Sequence, residues 1–66
     1  MTINQFIKAQ RERKGMSIDG LAFASSVSRA TIYRMEAGKD LDIKSLERLT
    51  LALGYPLSAA LKKCGK

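Results

Sequence analysis

Arg29, Ala30, Tyr33 and Arg34 share one face of a short helical segment, because positions i, i+1, i+4 and i+5 fall in one sector at 3.6 residues per turn. The face carries two arginines, an aromatic hydroxyl and no acid. Guanidinium groups donate paired hydrogen bonds to anionic oxygens and to the O6 and N7 acceptors of a guanine edge. The chemistry these residues predict is therefore recognition of a polyanion with readable edges, meaning DNA through its major groove.

Presenting that face requires residues 17–38, which read as two short amphipathic helices joined by a tight turn. Ser17 and Ser28 supply side-chain oxygens that can each cap a helix by accepting a free first-turn N–H. Ser25, Ser26 and Val27 form the break, and Gly38 closes the second helix. Ile32 and Met35, with Val27 before them, mark its inward face, opposite the arginines.

Composition leans the same way. Sixty-six residues allow one domain, spanning 1–66, with one small core that is marginal unless stapled or associated. No staple is visible: a lone Cys64 cannot form an internal disulfide, and without histidine the usual zinc ligand sets cannot be assembled. No metal or cofactor is expected. Residues 18–28 are too short and too polar to span a bilayer, and residues 1–10 lack the apolar stretch of a signal peptide, so a cytoplasmic location away from membranes is expected. Twelve Lys and Arg against six Asp and Glu give a net charge of +6, which favours a nucleic acid or an anionic surface as partner. Charge alone is weak, since small basic domains that bind no polyanion are common. Neither Cys64 nor the scattered carboxylates pair a nucleophile with a base, which argues against an enzyme.

Five helices and no convincing strand follow from the pattern. Thr2 and Gln5 form a capping box that starts a helix at Ile3, with Ile3, Phe6 and Ile7 as its apolar stripe and Gly15 as its stop. Met16 is expected to plug the core from the loop. The second helix, Ile18–Ser25, buries Leu21 and Ala22 and carries Gly20 at a cost of roughly 1 kcal/mol relative to alanine. Phe23 points away from that stripe and is either exposed or folded under a neighbouring segment. Asp42 caps a fourth helix with Ile43, Leu46, Leu49 and Leu53 on one stripe, ended by Gly54. Pro56 introduces a last helix, Leu57–Cys64, in which Leu57 and Leu61 share a face. Lys62, Lys63 and Lys66 read as a solvated tail. Short loops make the segments turn on one another in a compact all-α bundle.

Two charges are misplaced. Arg11 continues the inward stripe of the first helix, four positions after Ile7. Glu36 lies in the last turn of the third helix, where the macrodipole disfavours an acid, and on its inner face, four positions after Ile32. Either the two meet in a mostly buried ion pair or they are unrelated surface charges.

The run from residue 3 to residue 61 resembles the helix-turn-helix family of phage Cro and CI repressors, the xenobiotic-response-element class. The matching residues are Arg11, Gly15-Met16-Ser17, Leu21-Ala22, Val27-Ser28-Arg29, Thr31-Ile32, Arg34-Met35-Glu36 with Gly38, and Leu46, Leu49 and Ala52-Leu53-Gly54, all in order and at the family's spacings. The resemblance implies a lambda-repressor-like five-helix fold with a buried pair at Arg11 and Glu36. It implies a third helix lying in the major groove, with Arg29, Ala30, Tyr33 and Arg34 reading bases. It also implies phosphate contacts from the N-termini of the second and fourth helices, here Ser17-Ile18 and Ile43-Lys44. Ser28 and Thr31 at the start of the third helix are further backbone candidates, Thr31 being equally well a plain helix-surface residue.

Three departures limit the transfer. Ile18 stands where the family often has glutamine supporting the recognition helix. Ser26 replaces the turn glycine and Ser25 the apolar residue before it, so the turn is expected to be rebuilt with Phe23 or another residue filling the gap. Ala37 replaces a common polar phosphate ligand, leaving Lys39 and Lys44 as the nearer candidates.

Two function classes are compatible with this reading. One is a sequence-specific regulator binding a palindromic or pseudopalindromic operator as a homodimer, joined through Leu57 and Leu61, and repressing by occluding a promoter. The other is a protein-interaction module, such as an antitoxin that captures a toxin, using exposed Phe23, Leu51, Leu57 and Leu61.

Overall fold

The computed structural model describes residues 1–64, folded into α1 (Ile3–Arg13), α2 (Ile18–Ser25), α3 (Arg29–Glu36), α4 (Ile43–Ala52) and α5 (Leu57–Cys64), with no strand among the described residues. Of the expected basic tail, Lys62 and Lys63 are exposed, with the Lys63 ammonium 5.8 Å over the Tyr55 ring, and Lys66 lies outside the described residues.

Local chemistry sets each helix boundary. Thr2 and Gln5 form the complete capping box before α1, each side chain accepting from the other's backbone N–H. Ser17, Ser28 and Asp42 each accept the N–H three residues on, from Gly20, Thr31 and Ser45. Hydrogen bonds from the Ser45 hydroxyl and N–H hold the Asp42 carboxyl below its ordinary value. A carboxylate so lowered contributes to stability at neutral pH and loses that contribution as pH falls through the folded-state value. At the end of α3, Gly38 adopts φ 93° and donates to Met35 O while Lys39 donates to Arg34 O, closing the last turn on itself. The same pair of bonds follows α1 and α4, through Gly15 and Met16 and through Gly54 and Tyr55.

The turn between α2 and α3 is built differently from the expectation. Ser26 takes the left-handed conformation itself, at φ 60° and ψ 26°. Ser25 is buried, and its hydroxyl donates to Leu21 O at 2.7 Å and accepts from Val27 N–H at 3.2 Å, so a polar side chain occupies an apolar position with its hydrogen bonds satisfied. Phe23 fills no gap: it is 90% exposed. A non-glycine residue in this region carries a Cβ clash worth about 1 kcal/mol. Ser26→Gly should therefore raise the urea midpoint by the equivalent of about 0.5–1 kcal/mol. A lowered midpoint would mean that the serine side chain contributes more than its strain costs.

The core gathers Phe6 and Ile7 of α1, Leu21 of α2, Val27, Ile32 and Met35 of α3 and its approach, Leu49 and Leu53 of α4 and its end, and Ala60 of α5. Met16, Ile18, Ala22 and Leu46 pack half-buried against it. Helix α2 packs on α3 and α4, α1 on α3 and α5, and α4 on α5. At Gly20 a Cβ would lie 3.3 Å from the capping Oγ of Ser17, so that the serine would have to shift by a few tenths of an ångström, and 3.4 Å from the Met16 side chain.

Two stripes differ from expectation. Ile43 is 65% exposed, because it occupies the first turn of α4 beyond the edge of the core, and Thr50 is buried in line with Leu46, Leu49 and Leu53. The Thr50 hydroxyl donates back to Glu47 O at 3.1 Å, which makes its burial affordable in hydrogen-bond terms. In α5, which packs on α1 and α4, the inward positions belong to Ala60 and the half-buried Cys64; Leu57 is half-buried and Leu61 faces outward.

Candidate nucleic-acid interface

Full burial of Ile32 and Met35 fixes the rotation of α3 about its own axis. Helical geometry then turns Arg29, Ala30, Tyr33 and Arg34 outward together, and all four are exposed, Tyr33 at 61%. At the start of the helix Ser28 is exposed and Thr31 half-buried, and their hydroxyls are tied to each other at 2.9 Å.

The inner side of the same helix is clamped. Arg11 Nε donates to Glu36 Oε2 at 2.7 Å and Nη2 to Oε1 at 3.2 Å, a two-pronged pair between α1 and α3 with side chains 13% and 12% exposed. The third prong, Nη1, donates to Met16 O at 2.7 Å in the loop leading to α2. Hydrogen bonding to Glu36 holds the Arg11 guanidinium above its ordinary value despite the opposing effect of burial, so it remains charged. One side chain thus fixes α1, the entry to α2 and the end of α3 relative to one another. Asn4 adds a second tie, its amide donating to Met35 O at 2.9 Å and Lys39 O at 2.8 Å. Neither the Met16 carbonyl nor the Asn4 amide has a periodic signature in the sequence, since both contacts join segments distant along the chain.

Around the exposed face lie the expected backbone candidates. Ser17 is exposed at the N-terminus of α2, while the Ile18 side chain turns inward against the core and leaves only its backbone N–H at the helix end. Lys39 follows α3, and Lys44 stands in the first turn of α4, both exposed. One neighbour was not foreseen: Asp19 Oδ1 accepts from Arg29 Nη1 at 3.2 Å, joining the first turns of α2 and α3. Of the apolar residues considered for a protein partner, Phe23, Leu51 and Leu61 are exposed and Leu57 is only half so.

Among the described residues no group of His, Cys, Asp or Glu side chains is placed to hold a metal, and no helix is long and apolar enough to cross a membrane. The helix-turn-helix family model matches residues 7–59, four-fifths of the chain and the whole of α2, the turn, α3 and α4. The protein belongs to the Cro/CI-type helix-turn-helix family, a non-catalytic DNA-binding family, and its partner is DNA. The chain matches no curated protein and no solved structure.

Proposed function

We propose that the protein is a sequence-specific transcriptional regulator that acts inside the cell as one DNA-binding domain over residues 1–66, pairs into a homodimer on a palindromic operator, and represses by occluding a promoter. The observation that carries this reading is the exposed face of α3, which bears two arginines and a tyrosine on a helix whose other side is anchored by buried Ile32 and Met35. Such a face suits base-edge readout by Arg29, Ala30, Tyr33 and Arg34 in the major groove. Ser17, Ile18, Ser28 and Thr31 at the two helix starts, with Lys39 and Lys44, grip the flanking phosphates. Apolar surface at Leu61, continued by half-buried Leu57, supports pairing through α5, which places two recognition helices about 34 Å apart along one side of the duplex.

Selection of bound fragments from a random DNA pool tests the reading as a whole. The expected product is an inverted repeat with half-site centres about 10 base pairs apart, and sedimentation of the complex should show two chains per site. Enrichment of no sequence would remove sequence-specific regulation. A single half-site bound tightly by a monomer at micromolar concentration would remove the dimer.

A further inference from the structure

We propose that Asp19 is a positioning residue for Arg29, holding one edge of its guanidinium so that the other edge is presented to a base and withheld from phosphate. The inference rests on the reading of Arg29 as a base-contacting residue. Asp19 is the single carboxylate on the outer surface of residues 17–38, since Glu36, the other acid of that stretch, is nearly buried against Arg11. It is also an acid in a protein of net charge +6, two residues from the Ser17 cap assigned to a phosphate, where a carboxylate opposes DNA binding.

The contact itself does little for the fold. The two side chains are 65% and 73% exposed and joined by one 3.2 Å hydrogen bond, a geometry in which an ion pair biases a population by no more than about five-fold, enough to orient a side chain but little against the stability of a domain. What it does is restrict a long side chain. Arg29 is the first residue of α3, free of flanking turns, and an unrestrained arginine there swings to the nearest phosphate and adds affinity without sequence information. With Nη1 engaged by Oδ1, the Nε–Nη2 edge keeps the fork that matches O6 and N7 of guanine. On DNA lacking that guanine, Asp19 neutralises Arg29 and the lost counterion release lowers binding. Asp19 thus trades total affinity for discrimination. An acid in the first turn of α2 is also favourable to the helix dipole, a role that would touch stability but not base preference.

Titrations of Asp19→Ala, Asp19→Glu, Arg29→Ala and the double variant, against the selected operator, its single-base variants and a random-sequence duplex over a salt series, test this directly. Asp19→Ala should bind the random duplex several-fold more tightly, steepen the log–log salt slope by about one per half-site, and flatten preference at the same base pair that Arg29→Ala flattens. Asp19→Glu, which retains the carboxylate, should keep the wild-type preference. In the Arg29→Ala background, removing Asp19 should leave preference at that pair unaltered. If Asp19→Ala keeps full preference there, or strengthens random-duplex binding as much without Arg29 as with it, Asp19 is only a nearby charge and the proposal falls alone. If Arg29→Ala changes no base preference, the reading of Arg29 falls and the proposal with it.

Discussion

Replacing Glu36 with alanine should unfold much of the protein at working temperature. The substitution leaves the Arg11 guanidinium, 13% exposed and held charged, with a hydrogen bond to Met16 O and only a long 3.8 Å contact to the exposed Glu12 carboxylate in place of its two-pronged partner. Breaking one side of a buried pair costs about 3–5 kcal/mol because the surviving charge stays desolvated. Domains of this size have roughly 3–10 kcal/mol in total, so the loss takes a large share of what holds α1 against α3. Urea denaturation followed by circular dichroism should show a midpoint lowered by the equivalent of about 3–5 kcal/mol. Glu36→Gln, which keeps one acceptor oxygen for Arg11 and puts an amide NH2 where the other stood, should lose less because one of the two hydrogen bonds survives. A loss under about 1 kcal/mol for Glu36→Ala would place the pair in the class of exposed ion pairs. The coupling has a functional side as well, since the same clamp sets the attitude of the helix whose outer face is proposed to meet DNA.

The second large effect is expected in binding. If Arg34 reads a guanine through O6 and N7, Arg34→Ala should weaken operator binding by about 1–3 kcal/mol per half-site and relax preference at one base position. Lys44→Ala should behave otherwise. An exposed lysine in the first turn of α4 gripping phosphate adds only to counterion release, so its loss should weaken binding to every sequence alike and flatten the log–log salt slope by about one per half-site. Titrations on the operator and its single-base variants across a salt series separate the two signatures. Uniform loss of affinity with unchanged base preference for Arg34→Ala would make α3 a backbone grip and move specificity elsewhere.

The helix starts were legible because each cap is a contract among residues three apart. Thr2 with Gln5, Ser17, Ser28 and Asp42 all accept the N–H their spacing indicates. The inward face of α3 was legible for the same reason, since Ile32 and Met35 at helical spacing leave no other rotation, and the outward grouping of Arg29, Ala30, Tyr33 and Arg34 follows from it. Arg11 and Glu36 signalled themselves by being on the wrong side of their helices, and the structure brings them together.

Periodicity failed where a helix end overhangs the core or where a polar residue satisfies itself. Ile43 continues the α4 stripe in sequence yet projects past the packed interior, and Thr50 and Ser25 are buried because each hydroxyl bonds a carbonyl of its own helix. In α5 the leucine pattern pointed to Leu57 and Leu61, whereas the way α5 lies on α1 and α4 turns Ala60 inward.

The sequence by itself determined where five helices begin and end, which face of α3 looks outward and what charge that face carries, because these depend on interactions spanning no more than a turn or two of backbone. Only the tertiary structure decided that Ser26 would bear the left-handed turn, that Asn4 would tie α1 to the end of α3, and that Asp19 would reach Arg29 ten residues away. Those contacts depend on how α1, α2 and α3 cross one another, and the crossing is set by the summed packing of the core, which no local spacing encodes.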